Sequence, residues 1–175
     1  MPATLFVDES LHRGLRLAAV RVEFGDLRRA RARMRDQLPP GTRRLHFVKE
    51  NDSNRLRAFA AITRLELEHL IVEGPSAQTP KDQRVAALRV VVSWALERGV
   101  ERVVLERDEN SVALDLRVIR DALRAAGRPD AIEYLHLAAP AEPLLWIPDA
   151  VVWAWSRGGE WRKRAEALRL TTLAA

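Results

Sequence analysis

Apolar runs of strand length alternate along this chain with amphipathic segments of helix length. Residues 3–8 and 15–23 are predicted as two strands, and the short connection between them, which contains Gly14, is typical of a hairpin. Residues 26–37 are predicted as a helix, because apolar residues recur on one face until the sequence Pro-Pro-Gly ends it. The chain therefore opens with a β-hairpin followed by a helix.

A second helix is predicted to begin after Ser53, and a third strand is predicted over residues 67–73. Helices and strands then alternate over residues 81–98, 101–107, 111–126 and 131–137, with a final helix within 143–157. This order predicts an α/β fold with a mixed sheet flanked by helices. The first strands should be antiparallel, and the later strands should run parallel to the first.

No repeat, low-complexity segment or linker divides the sequence, which favours a single domain. We expect this domain over residues 1–160, with residues 24–65 as a helical insertion between the second and third strands. Residues 161–175 lie in a segment rich in basic residues, and we expect them to form a loosely packed basic C-terminal tail or short helix.

Composition excludes several kinds of chemistry. The 175 residues include no cysteine, which excludes disulfides, thiolate zinc sites and cysteine nucleophiles. No signal peptide is recognisable and the apolar runs are too interrupted to span a bilayer, so a cytoplasmic protein without a membrane partner is expected. The net charge of +5 favours phosphate polymers as partners, although charge alone is weak evidence.

Three groups of acidic residues fall at the ends of predicted elements. Asp8 and Glu9 end the first strand, Glu106 and Asp108 lie at the end of the fourth, and Asp149 stands inside a nearly uninterrupted apolar segment. Ligands of open α/β sheets bind at the carboxyl ends of the strands, so these acids are expected to converge. Their oxygens suit hard divalent cations, which can orient an attacking water and stabilise the leaving oxygen of a phosphodiester.

Each acidic group also has a purely structural interpretation. Asp8 and Glu9 can pair with nearby arginines, and Asp108 can cap the helix that follows it. Taken singly, either pair is explained at least as well in this way. Asp149 can complement the dipole of its helix, but an acid among so many apolar side chains should need a specific partner, which favours a functional role.

Three segments occur in a characteristic order: FVDES at residues 6–10, LHF at 45–47 and LLWIPDAVVWA at 144–154. They resemble the aromatic-x-Asp-Glu-Ser strand, the Leu-His-Phe segment and the Leu-Gln-x-Ala-Asp-Leu helix of the bacterial family called domain of unknown function 3800. That family belongs among the ribonuclease H-like folds. The order of elements also agrees over about residues 3–160, as a three-stranded meander followed by helix, strand, helix, strand and helix.

The resemblance implies a Mg²⁺- or Mn²⁺-dependent nuclease that acts on nucleic acid. Asp8 would bridge the metal ions from the central strand, Glu106 or Asp108 would lie on the adjacent strand, and Asp149 on the last helix. These four residues are the candidate catalytic and metal-binding residues, and Glu9 is a further candidate ligand.

The chain departs from the family pattern in its metal ligands. Ribonuclease H enzymes also use a Glu on the helix after the third strand, but helix 81–98 offers only Asp82 and Glu97 at its ends. Glu9 or Glu50 is left as a candidate for the missing ligand. A catalytically silent binding or regulatory module with the same fold is therefore the alternative function.

The most basic stretch of the chain is the candidate nucleic-acid surface. Its arginines either form a solvated helix face, the simpler interpretation, or a ridge that binds the phosphate backbone beside the acids. The candidate contacts are Arg28, Arg31, Arg35, Arg43, Arg44 and Lys49. The tryptophans near the end of the chain are typical of a core and of subunit contacts, so a homodimer is a further expectation.

Overall fold

A six-stranded sheet forms the centre of the computed structural model, which describes residues 1–175. The strands lie in the order β5-β4-β1-β2-β3-β6. β1–β2 and β2–β3 are antiparallel, whereas β1–β4, β4–β5 and β3–β6 are parallel. The strands are β1 (Ala3–Ser10), β2 (Arg16–Glu23), β3 (Glu68–Glu73), β4 (Val100–Glu106), β5 (Glu133–Leu137) and β6 (Arg169–Ala174).

Six α-helices cover the two faces of this sheet. They are α1 (Leu27–Arg35), α2 (Asp52–Thr63), α3 (Pro80–Glu97), α4 (Val112–Ala125), α5 (Trp146–Arg157) and α6 (Gly159–Glu166). The mixed α/β fold predicted from the sequence is confirmed, and α1 and α2 lie between β2 and β3, where a helical insertion was expected. None of the helices has the length and apolar character needed to cross a membrane.

The alternation of side chains along β1 divides the interior into two cores. Phe6 belongs to a core with α1, α2 and α5, whereas Leu5 and Val7 belong to a core with α3 and α4. Successive residues of a strand point to opposite faces, and β1 is the central strand, so both of its faces are buried. This arrangement brings helices from both sides to the carboxyl end of β1.

The structure orders residues 161–175, for which we expected a loosely packed basic tail or a short helix. Residues 159–166 form α6, and β6 pairs in parallel with β3 along Glu68–Glu73. Ala165 is fully buried and Leu170 packs against the core that includes α5. The extra strand supplies backbone partners to an edge of β3 that would otherwise expose unpaired N–H and C=O groups, which explains why the segment is ordered.

His69 is a buried polar residue without a partner in the middle of this sheet. The side chain is 1% exposed, and neither ring nitrogen makes a hydrogen bond. Burial, with a smaller contribution from the charge of Arg169, lowers the pKa of His69 to about 3. The ring is therefore neutral in the folded protein and must remain so for the fold to keep its stability.

We predict that His69→Leu stabilises the protein increasingly as the pH falls. The folded-state pKa of His69 lies below its value of 6.5 in the unfolded chain, so wild-type stability is lost as the pH falls from 6.5 toward 3. Leucine does not bind a proton, so it adds no pH dependence to the stability. The gain in the free energy of unfolding should grow by about 2–3 kcal/mol between pH 7.5 and pH 4.5, measured by urea denaturation.

The exposed His12 provides the matched control. His12→Leu should give the same difference from wild type at both pH values, because that ring is in contact with water in both states. A His69→Leu gain that does not grow on acidification would contradict a buried neutral imidazole at this position.

Candidate active site

Three carboxylates from separate elements meet at the carboxyl ends of β1 and β4. The last paired residues of the two parallel strands are Val7 and Leu105, so Asp8 and Glu106 follow side by side. Asp8 lies on the same face as Phe6, and α5, which packs on β1, brings Asp149 to this face in its first turn. We refer to Asp8, Glu106 and Asp149 as the carboxylate triad.

The triad carries negative charge that its surroundings do not fully balance. Burial raises the pKa of Asp8 well above its usual value, and the charges of Asp149 and Glu106 raise it further. Burial also raises the pKa of Asp149 to about 6, although the N–H of Phe47 and the charge of Arg44 oppose the shift. Carboxylates that disfavour each other's ionisation in this way are stabilised by a proton or by a cation.

Each member of the triad has a protein partner. Arg44 donates from Nη1 to Glu106 at 3.1 Å, and the backbone N–H of Phe47 donates to Asp149 at 2.9 Å. Asp8 accepts from the N–H of Glu9 at 2.7 Å. With the side chains placed in this way, no group of three or more His, Asp or Glu residues is arranged to hold a metal ion.

Asp108 does not join the triad, although the sequence left it open beside Glu106. Its carboxylate accepts hydrogen bonds within its own loop, from the N–H of Asn110 at 3.1 Å and from the hydroxyl of Ser111 at 3.1 Å. These bonds shape the turn that leads into α4. Asp108 does not cap that helix, whose N-cap residue is Ser111. Glu106 is therefore the acid of β4 that lies beside Asp8.

Glu9 points to the opposite face of β1 and meets a buried arginine. Arg84 of α3 donates from Nη1 to Glu9, and from Nε and Nη2 to the two oxygens of Asp115 at 2.6 and 2.8 Å. Asp115 of α4 is completely buried, and His136 of β5 lies 2.9 Å from its carboxylate. We call Glu9, Arg84, Asp115 and His136 the arginine network.

The pairing of Glu9 with an arginine is the structural interpretation considered for that acid, but the rest of the arginine network was not predicted from the sequence. Burial opposes the charge of Asp115, but the hydrogen bonds from Arg84 and His136 outweigh it and lower the pKa of that carboxyl. The sequence does contain an indication of this pair. Arg84 and Asp115 each lie on the buried face of a helix, because each precedes a buried apolar residue, Leu88 or Ile119, by four positions. Charges on an apolar stripe indicate a buried partner.

The segment between α1 and α2 forms one wall of the site. It turns in a short 3-10 helix, Phe47–Lys49, whose first residue is buried and donates to Asp149. His46 lies beside this turn; burial and the charges of Arg44 and Lys49 lower its pKa. Glu50 accepts from the side chain of Asn54 at 3.0 Å and does not lie in the triad.

Three cavities open around the end of β1, and Glu9 lines all of them. A cavity of about 190 Å³ lies between the ends of β1 and β4 and includes Asp8 and Glu106. A second, of about 390 Å³, lies on the side of α5 and includes His46 and Asp149. A third, of about 540 Å³, lies between α3 and α4 and includes Arg84. The carboxyl end of the central strand is therefore accessible to small groups from both faces.

The candidate nucleic-acid contacts divide into two classes. Arg31 makes a bidentate pair with the two oxygens of Glu142 at 2.8 and 3.1 Å, and Arg44 is bound to Glu106, so both are engaged in ion pairs within the fold. The other four residues are exposed and make no ion pair in the structure; they are Arg28, Arg35, Arg43 and Lys49. This second class can contact a ligand without breaking an ion pair.

The tryptophans of α5 and α6 pack in the protein interior. Trp146 and Trp155 are buried. Trp153 and Trp161 are partly buried and pack edge-to-face with their ring centroids 5.1 Å apart, in a cluster that includes Phe47. The cluster therefore supports the 3-10 turn that binds Asp149.

No family model matches the chain, and no curated protein is similar to it in sequence. Among solved structures, the chain is similar to RNase HII from Archaeoglobus fulgidus, determined in a complex with PCNA. The TM-score is 0.56 at 13% identity, over 94% of this chain and 77% of the other. Membership of the domain of unknown function 3800 family stays a prediction, but the ribonuclease H-like fold implied by the resemblance is confirmed.

Proposed function

We propose that the protein is a divalent-metal-dependent nuclease that hydrolyses phosphodiester bonds in nucleic acid. The observation that carries the proposal is the convergence of Asp8, Glu106 and Asp149 on one face at the carboxyl ends of β1 and β4, with the pKa of two of them raised. Buried carboxylates that oppose one another cost stability, and such a cost is typical of functional sites. The ribonuclease H-like fold, shared with an RNase HII, supports this class of reaction.

The donor set of the triad fits Mg²⁺ or Mn²⁺. All of its side-chain ligands are carboxylate oxygens, which hard divalent cations prefer. A cation bound there would supply Lewis-acid stabilisation of the phosphate and activation of a water. Glu106 would have to exchange its partner, since Arg44 now occupies one of its oxygens.

The other residues of the site would position the substrate. Arg44, released from Glu106, would remain beside the triad as a cation for a phosphate oxygen, a role that guanidinium geometry suits. His46 lines the cavity that Asp149 also lines, and its lowered pKa favours a neutral imidazole that can accept or donate a hydrogen bond there. The exposed basic residues Arg28, Arg35, Arg43 and Lys49 would contact the phosphate backbone and attract nucleic acid by counterion release.

A catalytically silent binding module is the second candidate function. It is favoured by the two arginines that already neutralise acids of the site: Arg44 is bound to Glu106 and Arg84 to Glu9. If these pairs persist in the presence of divalent cations, the fold is retained without a metal centre. The two functions make opposite predictions for a metal-dependent cleavage assay.

We predict cleavage of at least one member of a panel of single- and double-stranded DNA, RNA and hybrid substrates in the presence of Mn²⁺ or Mg²⁺. EDTA should abolish the cleavage. Asp8→Asn and Asp149→Asn should each reduce the rate by about 100-fold or more, since altering even the groups around metal ligands costs about 10–100-fold. The measurement is the initial rate with end-labelled substrates resolved on denaturing gels.

Asp108→Asn is the matched control, because an asparagine there keeps an oxygen to accept from the N–H of Asn110 and places an amide that can donate to the hydroxyl of Ser111. This variant should cleave at close to the wild-type rate. Cleavage that survives Asp149→Asn, or that is absent on every substrate with either metal, would leave the silent module as the function.

We further predict that Asp149→Asn stabilises the metal-free protein at neutral pH. The pKa of Asp149 rises from 3.8 to about 6 on folding, so its contribution to stability is complete below pH 3.8 and is lost as the pH rises through 6. Asparagine keeps an oxygen for the N–H of Phe47. The variant should gain about 1–3 kcal/mol at pH 7.5 in EDTA, and the gain should vanish at pH 4.

The exposed Asp130 offers a control for this effect, since Asp130→Asn should change stability at neither pH. Urea denaturation at the two pH values measures both variants. Marked destabilisation by Asp149→Asn at pH 7.5 would mean that the carboxylate is a structural partner of Arg44 and Phe47, and the proposed metal site would fail.

A further inference from the structure

The cavity on the side of α5 continues well beyond the carboxylate triad. Its volume of about 390 Å³ lies within the range of about 300–1,000 Å³ that is typical of small-molecule sites. The residues of α5 that line it run from Asp149 to Arg157, and this stretch corresponds to about 12 Å of helix. A phosphate held at the triad would therefore occupy only one end of the cavity.

The part of the cavity beyond the triad has an apolar wall. Val152 and Trp153 line it from α5, and Val48 lines it from the short 3-10 turn. Val48 is 56% exposed, which is unusual for a large apolar side chain of this protein. Trp153 is held in place by the ring of Phe47 and by the guanidinium of Arg55, which lies 4.4 Å from its ring centroid. Such a wall suits a flat, weakly hydrated ring and does not suit a phosphate.

The same cavity contains a polar atom that the protein leaves unpaired. The hydroxyl oxygen of Ser156 is buried and makes no hydrogen bond. Buried polar groups are almost always paired, because an unpaired one costs stability. His46 also lines the cavity, as does Arg157, which is exposed and makes no ion pair. An apolar wall with a few polar groups is typical of a site that orients a small ring with hydrogen-bonding edges.

We infer that this cavity binds one unpaired nucleobase next to the scissile phosphate, so that the substrate is a single strand or an unpaired end of a nucleic acid. The inference rests on the proposed nuclease function and specifies its substrate class. The base would lie against Val48 and Trp153 and bond to Ser156, and Arg157 would contact the following phosphate. A base inside a duplex could not do this, because its neighbours cover its faces and its partner occupies its Watson–Crick edge. Single-strand sites combine apolar or aromatic contacts to bases with cations along the backbone in this way.

The test separates contacts to bases from contacts to phosphates. A short DNA strand and a short RNA strand of mixed sequence are each compared with an abasic strand that carries the same number of phosphates. Binding to the full chain is measured by fluorescence anisotropy in Ca²⁺, a hard cation that takes oxygen ligands as Mg²⁺ does. At least one strand with bases should bind about tenfold more tightly than the abasic strand, and more tightly than a blunt duplex of the same sequence.

Two variants assign this preference to the cavity. Ser156→Ala and Val48→Ala should each reduce the preference for bases by about threefold or more and leave the affinity for the abasic strand unchanged. Ser93→Ala, at an exposed serine of α3, is the matched control and should keep the wild-type preference. Ser156→Ala should keep or raise the stability in urea, because it removes an unpaired hydroxyl. A marked loss of stability would contradict the role of Ser156 as a group for the ligand.

The outcomes separate this inference from the function on which it rests. Equal binding of strands with and without bases, tighter binding of the duplex, or an unchanged preference in both variants would overturn the base site and leave a metal-dependent nuclease intact. Base-dependent binding without cleavage of any substrate would refute the nuclease and leave the cavity as the site of a silent binding module. No binding of any strand would overturn both. The wild-type comparison decides the question even if a variant folds poorly.

Discussion

The strict alternation of side chains along a β-strand is the constraint on which this site depends. Two acids follow one another at the end of the central strand, so one must point to each face of the sheet. Both faces are buried under helices, and each acid therefore needs its own source of compensation. On one face Arg84, held by Asp115, binds Glu9, although burial still raises the pKa of that carboxyl. On the other face Asp8 meets two further carboxylates and no ion pair of its own.

The helical insertion between β2 and β3 supplies two of the groups that contact the carboxylate triad. It carries Arg44, which binds Glu106, and Phe47, whose N–H binds Asp149. The ring of Phe47 packs against the side chains of Trp153 and Trp161, so the aromatic cluster sets the position of its N–H. The insertion therefore packs against α5 and contributes to the charge around the triad.

Periodicity in the sequence predicted the strands, the helices and their order, because strand and helix periods are local properties of the chain. The same reasoning brought Asp8, Glu106 and Asp149 to one edge of the sheet. It could not choose Glu106 over Asp108, since the choice depends on the direction of side chains at a strand end. It missed the pairing of Arg84 with Asp115, which joins residues from two helices. It also missed β6, a short strand that follows a segment rich in basic residues.

The measurement that tests this account most directly is the anomalous diffraction of crystals grown with Mn²⁺. The account predicts a strong peak beside Asp8, coordinated by oxygens of the triad, with Arg84 still bound to Glu9 and Asp115. A peak coordinated by Glu9 after displacement of Arg84, or the absence of any peak beside Asp8 at saturating Mn²⁺, would contradict it.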